Sequence, residues 1–595
     1  MTRRGLPRLA VLAVLAVLAV LSAACLEIRS GDPPMCKVTA DCDAGEICEE
    51  NVCWGNPPAM SFAAVVSPPS ERSADLVPRE VVALGVTSDG WLDDMHLDTA
   101  VAFQGRIQAL CEIPCDGRMD GATITVTRPS AFPGGPGFRR LAEIGESFEL
   151  KVPATRPGDP PFTITVVPAG RDAPGSGSSS LAQEVPPLQV QLAIPASVTG
   201  HVLELGGIAL PRITGTLMAG GGGGGLGGYR VVALGRWAPD QPLAEVSSVD
   251  FTGGDGLFSI RLSRGLVGAV ELVARPVGLP LRPTLHLAGL PADQSSLGQV
   301  LALPGGVPGE TSVEVLVDHQ DTGGAIAPVA GARVVITSGV TANGTTVRYS
   351  AEATTTETGV ARLRLLDEPT LVPSYRLSIT PPAGSKAAAV FDRPYQVQPA
   401  TTQRLGTRFA VTGEIRGADD RPLANVSVTA RPSVRFLWSL EPGPQAFLGE
   451  VPAATAVTAP DGKFVLFVDH ALPNGSGSQA ATVWGHYDLS FEPTAKSLMP
   501  SWTRADVELP RVASQSSLAL GAVHLPDAAY VRGFVFDDEN ARVEGAEVKL
   551  FEVQINPGLC LETRFEPQSC PIPPLLLGRA ASAKDGVARL TLPRP

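Results

Sequence analysis

The sequence predicts an all-β protein made of consecutive β-sandwich domains, and three observations support this. Gly 63 and Pro 55 together form about a fifth of the 595 residues, and both residue types break helices and favour turns. Apolar and polar residues alternate along short segments, as strands with one buried face require. A pattern of such segments recurs every ~100–120 residues, a spacing that suits a sandwich domain and exceeds the ~20–50 residues of a solenoid repeat.

The fourth copy shows the repeated pattern most clearly. It begins with a strand that has a central Gly, Val411–Ile415, and continues through a small turn into Leu423–Val428. An Asp-Gly turn then feeds Ala459–Phe464, and Tyr487–Pro493 ends in Pro. We expect each Asp-Gly pair to supply the positive φ of a tight hairpin. Copies start near residues 103, 213, 313, 411 and 531, and the first is the weakest.

This order of motifs resembles the carboxypeptidase regulatory-like family over most of the chain. The resemblance implies tandem seven-stranded prealbumin/Ig-like β-sandwiches. The family is named for a domain that lies beside zinc carboxypeptidases, so a zinc-binding histidine motif would indicate a peptidase in this chain. None of the seven histidines lies in an H-x-x-E or H-E-x-x-H motif, and neither a G-x-S-x-G nor a P-loop motif occurs. We therefore expect no enzyme activity and no cofactor.

These spacings predict the domain boundaries. They give a signal peptide 1–24, a tether 25–35, a cysteine-rich module 36–54, and sandwiches 58–205, 206–305, 306–405, 406–525 and 526–595. Residues 58–102 are assigned to the first sandwich as an N-terminal extension or to a separate element. The fifth copy stops at Pro595 before a closing strand, so we expect it to be incomplete or completed by another chain. Five sandwiches in a row would extend ~150–200 Å if each is ~35 Å long.

The first 24 residues are typical of an export signal. Arg3, Arg4 and Arg8 precede the apolar run Leu9–Leu21, which as a helix rises only ~20 Å and is too short to cross ~30 Å of hydrocarbon. We therefore expect a cleaved leader.

The end of this leader resembles a bacterial lipobox. Leu21 lies one place early and Ser22 stands where the motif usually has Leu, Val or Ile. The resemblance implies a lipid on Cys25, and an ordinary secretory cut after Ala24 stays open. Leu26 in place of Asp implies the outer membrane.

The cysteine count agrees with a lipidated Cys25. Eight cysteines remain, in groups of four, two and two: Cys36, Cys42, Cys48 and Cys53, then Cys111 and Cys115, then Cys560 and Cys570. An exported chain is expected to pair such thiols as disulfides, although the group of four allows three pairings. A zinc site is disfavoured because no C-x2-C knuckle occurs. The group of four resembles short modules in myxobacterial surface lipoproteins.

Two weak candidate sites remain. If residues 94–98 are extended, Asp94, His96 and Asp98 share one face and could bind a metal, although the solvated polar face of an amphipathic strand is the commoner explanation. Trp237 and Trp438 lie in loop-like positions and could stack on sugar, although loop-covering Trp residues are commoner.

The sequence supports one leading hypothesis for the function and leaves two alternatives open. The net charge of −13 disfavours nucleic acid as a partner. The leading hypothesis is a cell-envelope lipoprotein that displays its domains as a structural or adhesion array. The alternatives are a binding module for polysaccharide or peptidoglycan and a non-catalytic subunit of an envelope enzyme. The expected partners are the membrane, through the lipid, and polysaccharide or envelope proteins.

Overall fold

The computed structural model shows a chain of β-strands with only short helical turns. It describes residues 36–594 except 43, 45, 50–51, 56–61, 88, 112–120, 133–134, 173–180, 208, 219–223, 240, 279–281, 283, 293–296, 302–309, 322, 343–344, 367–374, 383, 418, 434, 437–450, 452, 475–480, 495–498, 512–515 and 553–573. The helical turns include two 3₁₀ turns, Thr39–Asp41 and Ser70–Arg72, and the short helix α1, Leu181–Glu184. The all-β prediction is confirmed.

The first half of the chain is built almost wholly from strands. Its N-terminal part contains β1 (Glu46–Glu49), β2 (Val52–Gly55), β3 (Phe62–Ser67), β4 (Leu76–Val77), β5 (Arg79–Leu84) and β6 (Met95–His96). Next come β7 (Asp98–Leu110), β8 (Ala122–Arg128), β9 (Phe138–Ile144), β10 (Ser147–Pro153), β11 (Phe162–Pro168), β12 (Leu188–Leu192) and β13 (Val198–Gly206). They are followed by β14 (Arg212–Leu217), β15 (Tyr229–Arg236), β16 (Ala244–Glu245), β17 (Asp250–Phe251), β18 (Leu257–Arg261), β19 (Val267–Pro276), β20 (Thr284–Pro291) and β21 (Leu297–Leu301).

The second half continues in the same way. It contains β22 (Glu310–Gln320), β23 (Ile326–Pro328), β24 (Arg333–Ala342), β25 (Thr345–Thr354), β26 (Val360–Leu366), β27 (Tyr375–Thr380), β28 (Val390–Tyr395) and β29 (Ala400–Leu405). Then come β30 (Phe409–Arg416), β31 (Ser427–Pro432), β32 (Ala454–Val457), β33 (Lys463–Val468), β34 (Ala471–Asn474), β35 (Ala481–Trp484), β36 (His486–Glu492), β37 (Trp502–Glu508) and β38 (Ser517–His524). The chain ends with β39 (Ala528–Phe536), β40 (Glu547–Glu552), β41 (Leu575–Ala581) and β42 (Val587–Pro593).

Four sandwiches are each built from one continuous stretch of chain, which we call S1 (98–206), S2 (212–301), S3 (310–405) and S4 (409–524). In each, the first strand lies between an antiparallel strand and a parallel closing strand, in the orders β10-β7-β13, β18-β14-β21, β26-β22-β29 and β33-β30-β38. A second, antiparallel sheet covers it, such as β32-β31-β36-β37 in S4. Every sandwich encloses its own apolar core between the two sheets.

A buried Thr or Ser fixes the same corner in several copies. In S4 the Thr458 Oγ1 donates to the Leu423 carbonyl at 2.7 Å and accepts from the Val426 N–H at 2.9 Å. Thr355 and Ser582 make the equivalent pairs of bonds in S3 and near the C-terminus. Both partners of the hydroxyl are backbone groups inside the protein, where an unmade hydrogen bond is costly.

The Asp-Gly turns follow these residues and differ from the prediction in one respect. Gly462 has φ 75°, and a Cβ there would lie 2.6 Å from the Ile415 carbonyl oxygen. Such a position requires Gly. The turn joins β32 to β33, which belong to different sheets, so it forms a corner between the layers instead of a hairpin within one sheet.

The fifth sandwich, the terminal domain, combines residues 62–97 with residues 528–593. Strand β3 pairs antiparallel with β40, from Phe62 opposite Glu552 to Ser67 opposite Glu547. Strand β6 runs parallel to β39, with Met95 opposite Val535. The resulting sheets, β41-β40-β3-β5 and β42-β39-β6, have the order that β32-β31-β36-β37 and β33-β30-β38 have in S4. The N-terminal segment therefore provides the strands that the fifth copy lacks.

Two predictions are corrected by this arrangement. Residues 62–97 do not extend the first sandwich or form a separate element, although β4 also pairs with the start of β7. In this structure the fifth sandwich receives its missing strands from residues 62–97 of the same chain. The physical reason is the shared core, in which side chains of the N-terminal segment, Phe62, Ala64, Val66, Leu76, Leu84, Leu92, Met95 and Leu97, are each at most 4% exposed beside those of residues 531–592.

Candidate functional site: the joints between the domains

The cysteine-rich hairpin, residues 36–55, is held by two disulfides. They join Cys36 to Cys48 and Cys42 to Cys53, one of the three pairings that the spacing allows. Cys48 and Cys53 face each other across the β1–β2 ladder. A segment this short cannot bury a core of its own, so the disulfides restrict it.

The hairpin packs on the outer face of the terminal domain through Arg532. This guanidinium, in a residue 3% exposed, lies between the rings of Trp54 and Trp91, at 4.8 and 4.2 Å from their centroids. It also forms an ion pair with Glu49 of the hairpin. Trp54 meets the Tyr530 ring edge to face. This site could not be predicted from the sequence, because Arg532 lies more than 400 positions from the hairpin and from Trp91. The one local signal was Trp54, an aromatic residue directly after Cys53.

The terminal domain meets S1 through Glu80. Its carboxylate accepts hydrogen bonds from the Ser130 hydroxyl at 2.9 Å and from the N–H groups of Ala131 and Gly137 at 2.6 and 2.9 Å. Beside it, Phe132 is 3% exposed and packs on Val65 of β3. This loop of S1 therefore covers the outer face of the terminal domain's sheet.

S1 and S2 meet through a carboxylate between two guanidinium groups. Glu245 of S2 accepts from Arg171 of S1 at 3.0 and 3.1 Å and from Arg230 of S2 at 2.7 and 2.9 Å. Burial alone would raise the pKa of Glu245, but the hydrogen bond from Arg230 and the charge of Arg171 outweigh it and the pKa lies below its ordinary value. Burial also lowers the pKa of Arg171.

S2 and S3 share one sheet. Strand β20 pairs antiparallel with β25, Thr284 opposite Ser350, so one nine-stranded sheet extends across the two domains. Tyr349 of S3 is 2% exposed in the core of S2. His286 lies between Glu271, at 2.8 Å, and the Ser350 hydroxyl, at 3.3 Å.

S3 and S4 meet through a buried ion pair. Arg408 and Asp469 have side chains that are each 3% exposed, with Nε and Oδ1 3.4 Å apart. The Arg408 guanidinium also donates to the Ser385 carbonyl of S3 at 3.1 Å, and Asp469 accepts from the Ala389 N–H at 2.9 Å. Phe391 of S3 is buried in the core of S4.

S4 finally meets the terminal domain, where β37 lies against β41. The contacts therefore form a closed circuit, from the terminal domain through S1, S2, S3 and S4 back to the terminal domain. This differs from the expected row of five domains, because a row would leave its two ends apart.

The predicted metal ligands are not brought together. Asp98 forms ion pairs with Arg156 at 2.6 Å and Arg79 at 3.4 Å, and the His96 ring stacks on Phe536. Asp94 is exposed. In the part of the chain that the structure describes, one group of three potential ligand atoms lies within 4.8 Å, formed by Cys36, Cys42 and Cys53. Their sulfurs are in disulfides and are not the thiolates that zinc requires.

Of the two candidate sugar platforms, the structure describes Trp237. Trp237 is half-buried and packs against the core of S2, and Trp438 lies outside the described residues. A depression of about 590 Å³ lies on S1 between Arg106, Glu149 and Gly200. A smaller one of about 240 Å³ lies at the joint with the terminal domain.

Several other predicted residues lie outside the described part of the chain: the leader, Cys25, Cys115, Cys560 and Cys570. Cys111 is disulfide-bonded. Among the residues that are described, no helix combines the length and hydropathy needed to cross a bilayer.

Comparison with known proteins yields structural likeness only. No protein-family model matches the chain, and no curated protein matches it in sequence. Solved structures with likeness include the TIE protein of Bacillus anthracis (11% identity, 72% of this chain and 75% of that one, TM-score 0.15). Others are the minor pilin of Streptococcus agalactiae (9%, 36% and 97%, TM-score 0.16) and two B repeat units of the collagen binding protein of Staphylococcus aureus (11%, 71% and 99%, TM-score 0.12). Scores this low carry no argument about function, and the fold rests on the strands described above.

Proposed function

We propose that the protein is a non-catalytic lipoprotein of the bacterial cell envelope that holds five β-sandwich domains in fixed relative positions as a structural and adhesion array. The observation that carries this proposal is the set of joints. S1 to S4 are connected in turn by ion pairs, a shared sheet and side chains buried in a neighbour's core, and the terminal domain meets S1 through hydrogen bonds to Glu80. Flexible spacers do not need such contacts. Such joints suit a role that depends on the relative positions of the domains.

The proposed anchor is a lipid on Cys25. From there to Cys36 the tether can span at most ~35–40 Å even when fully extended. The hairpin that begins at Cys36 is packed on the terminal domain through Arg532 and Trp54. The terminal domain would then lie next to the membrane. S2 and S3 lie on the opposite side of the circuit and would project farthest from the membrane.

The mass of the mature N-terminal peptide tests this proposal. We expect a diacylglyceryl group on Cys25 and recovery of the protein with membranes, and we expect Cys25→Ser to release it. An unmodified Cys25 with the protein free in the medium would contradict the anchor. The matched control is Ser22→Ala, which keeps the cysteine and the small residues before it.

Binding is tested separately with the purified Cys25→Ser chain. As an array that adheres to the envelope, it should bind isolated envelope preparations, with no hydrolysis of peptidoglycan or peptide substrates. Hydrolysis that persists through purification would contradict the non-catalytic assignment. Glycan binding lost in Trp237→Ala would instead favour the polysaccharide-binding alternative.

A further inference from the structure

The closing interface, formed by residues 62–97 against residues 528–593, has a consequence for a chain that is cut. A single break anywhere between residues 98 and 527 divides the protein into two fragments. The N-terminal fragment carries β3, β5 and β6, and the C-terminal fragment carries β39 to β42. Each fragment therefore holds half of the terminal domain.

We propose that the closing interface keeps the two fragments together after such a cut, so that proteolysis between domains does not release the array. With the proposed lipid on Cys25, the C-terminal fragment would stay at the membrane without a covalent link to the anchor. That last consequence rests on the proposed function, whereas retention of the fragments does not.

The apolar contacts of this interface are those of a domain core. Phe62, Val66 and Met95 from the N-terminal side are fully buried, as are Val535 and Val548 from the C-terminal side. Their separation would expose both faces to water, which is the dominant cost of unfolding a sandwich. The fragments would have to unfold the terminal domain in order to part.

Polar contacts across the interface add orientation. Arg72 pairs with Asp537 at 3.1 Å, where the Asp537 side chain is 7% exposed. The Arg532 contacts with Glu49 and with the two Trp rings also connect opposite sides of any cut. The hairpin, fixed by its disulfides, covers the sheet face on which these contacts lie.

A cut can be placed at the S3–S4 joint, where the Gly406 carbonyl accepts a hydrogen bond from the Ala388 N–H at 2.7 Å. Gly406 lies between S3 and S4, is exposed, and has no atom within 4 Å of where a Cβ would stand. A recognition sequence for a sequence-specific protease inserted after Gly406 in the Cys25→Ser chain would yield fragments ending at Gly406 and beginning after it. The lipid is absent, so the outcome does not depend on the anchor.

We expect the two fragments to co-elute in size-exclusion chromatography and to separate only in denaturant. Val548→Asp places a charge in the shared core opposite Val66, and after the cut we expect co-elution to be lost. Glu539→Lys, in the exposed turn between β39 and β40, is the control that should leave co-elution intact. Separation of the fragments in the chain that has Val548 would overturn the proposal. Fragments that stay together in the Val548→Asp chain would also overturn it, because the S3–S4 joint would then be what holds them.

A cross-link distinguishes closure within one chain from exchange between copies. Ser67→Cys with Glu547→Cys places two thiols at directly opposed positions of β3 and β40. After the cut, we expect a disulfide between these two thiols to join the fragments, so that they run at the mass of the full chain on a non-reducing denaturing gel. Ser67→Cys with Glu552→Cys, at opposite ends of the ladder, should give no such bond. A product of twice the mass would show that a second copy completes the domain and would overturn the proposal, as would no cross-link.

Discussion

Replacing Glu245 by Gln tests whether one carboxylate holds S1 against S2. The change keeps the side-chain volume and removes the charge that Arg171 and Arg230 share, and these two residues are only 7% and 6% exposed. Removing one partner of a buried ion pair costs about 3–5 kcal/mol, because the other charge stays buried without compensation. The Glu245 side chain keeps 29% of its surface exposed, so we expect the lower end, about 3 kcal/mol.

Hydrogen exchange at Val249 measures the effect. Its N–H donates to the Ala182 carbonyl across the joint at 2.9 Å, so its exchange reports opening of S1 from S2. A loss of about 3 kcal/mol corresponds to roughly 100-fold faster exchange. Glu544→Gln, at an exposed site in the terminal domain, is the control and should leave Val249 unchanged. Equal protection of Val249 in the Glu245→Gln and parent chains would refute this account of the joint.

Three further predictions concern pH, a buried hydroxyl and the hairpin. The folded pKa of Glu245 lies below its ordinary 4.5, so the S1–S2 joint should be at full strength above that pH and weaken as pH falls through the folded pKa. This dependence, followed at Val249, should be smaller in Glu245→Gln, where the Arg261–Glu184 ion pair across the joint remains. Thr458→Val leaves the Leu423 carbonyl and the Val426 N–H without their partner, and it should destabilise S4 by about 2–4 kcal/mol in denaturant unfolding. Thr455→Val, on the exposed face, is the control. Equal unfolding midpoints for the two variants would contradict the role of the hydroxyl. Arg532→Met should free the hairpin, shift Trp fluorescence to the red and speed reduction of its disulfides, and unchanged spectra and rates would count against the Arg532 contact.

Small-angle scattering tests the closed circuit. Five domains of ~35 Å in a closed circuit give a radius of gyration of roughly 30–35 Å, whereas a straight row of ~150–200 Å gives roughly 45–60 Å. The Cys25→Ser chain is suitable because it carries no lipid. A value in the upper range would contradict closure, and Val548→Asp should raise the value toward it by separating the two chain ends.

The fold class could be predicted from the sequence because its signals are local. A central Gly, a β-branched strand and an Asp-Gly corner recur together, and each acts over a few residues. The role of Thr458 has an equally local signal, a Thr or Ser four residues before the Gly of the corner, which recurs at Thr355 and Ser582. It was missed because a single Thr in a polar turn is common.

The joints could not be predicted in the same way. Arg171 and Glu245 are 74 positions apart, and Arg532 and Glu49 are 483 apart, so nothing in the neighbourhood of either residue indicates the other. The metal hypothesis for Asp94, His96 and Asp98 shows the converse problem. The alternation itself was informative, since Met95 and Leu97 are fully buried. On the polar face, His96 stacks on Phe536 and Asp98 forms ion pairs with arginines, whereas Asp94 is exposed.

The closure of the chain had a partial signal, namely a fifth copy without its last strands and an N-terminal segment without a first strand. Closing a loop of about 430 residues costs only ~1–1.5 kcal/mol more than closing one of ~100 residues, because the entropy grows with the logarithm of length. Burying the larger apolar side chains of the N-terminal segment contributes ~1.5–3 kcal/mol each. A second copy would offer the same contacts only at its own concentration in solution, whereas the contacts from S1 to S4 hold the two segments of one chain close together. The long separation between the two halves is therefore no obstacle to closure within one chain, in which residues 62–97 and 528–593 form one domain.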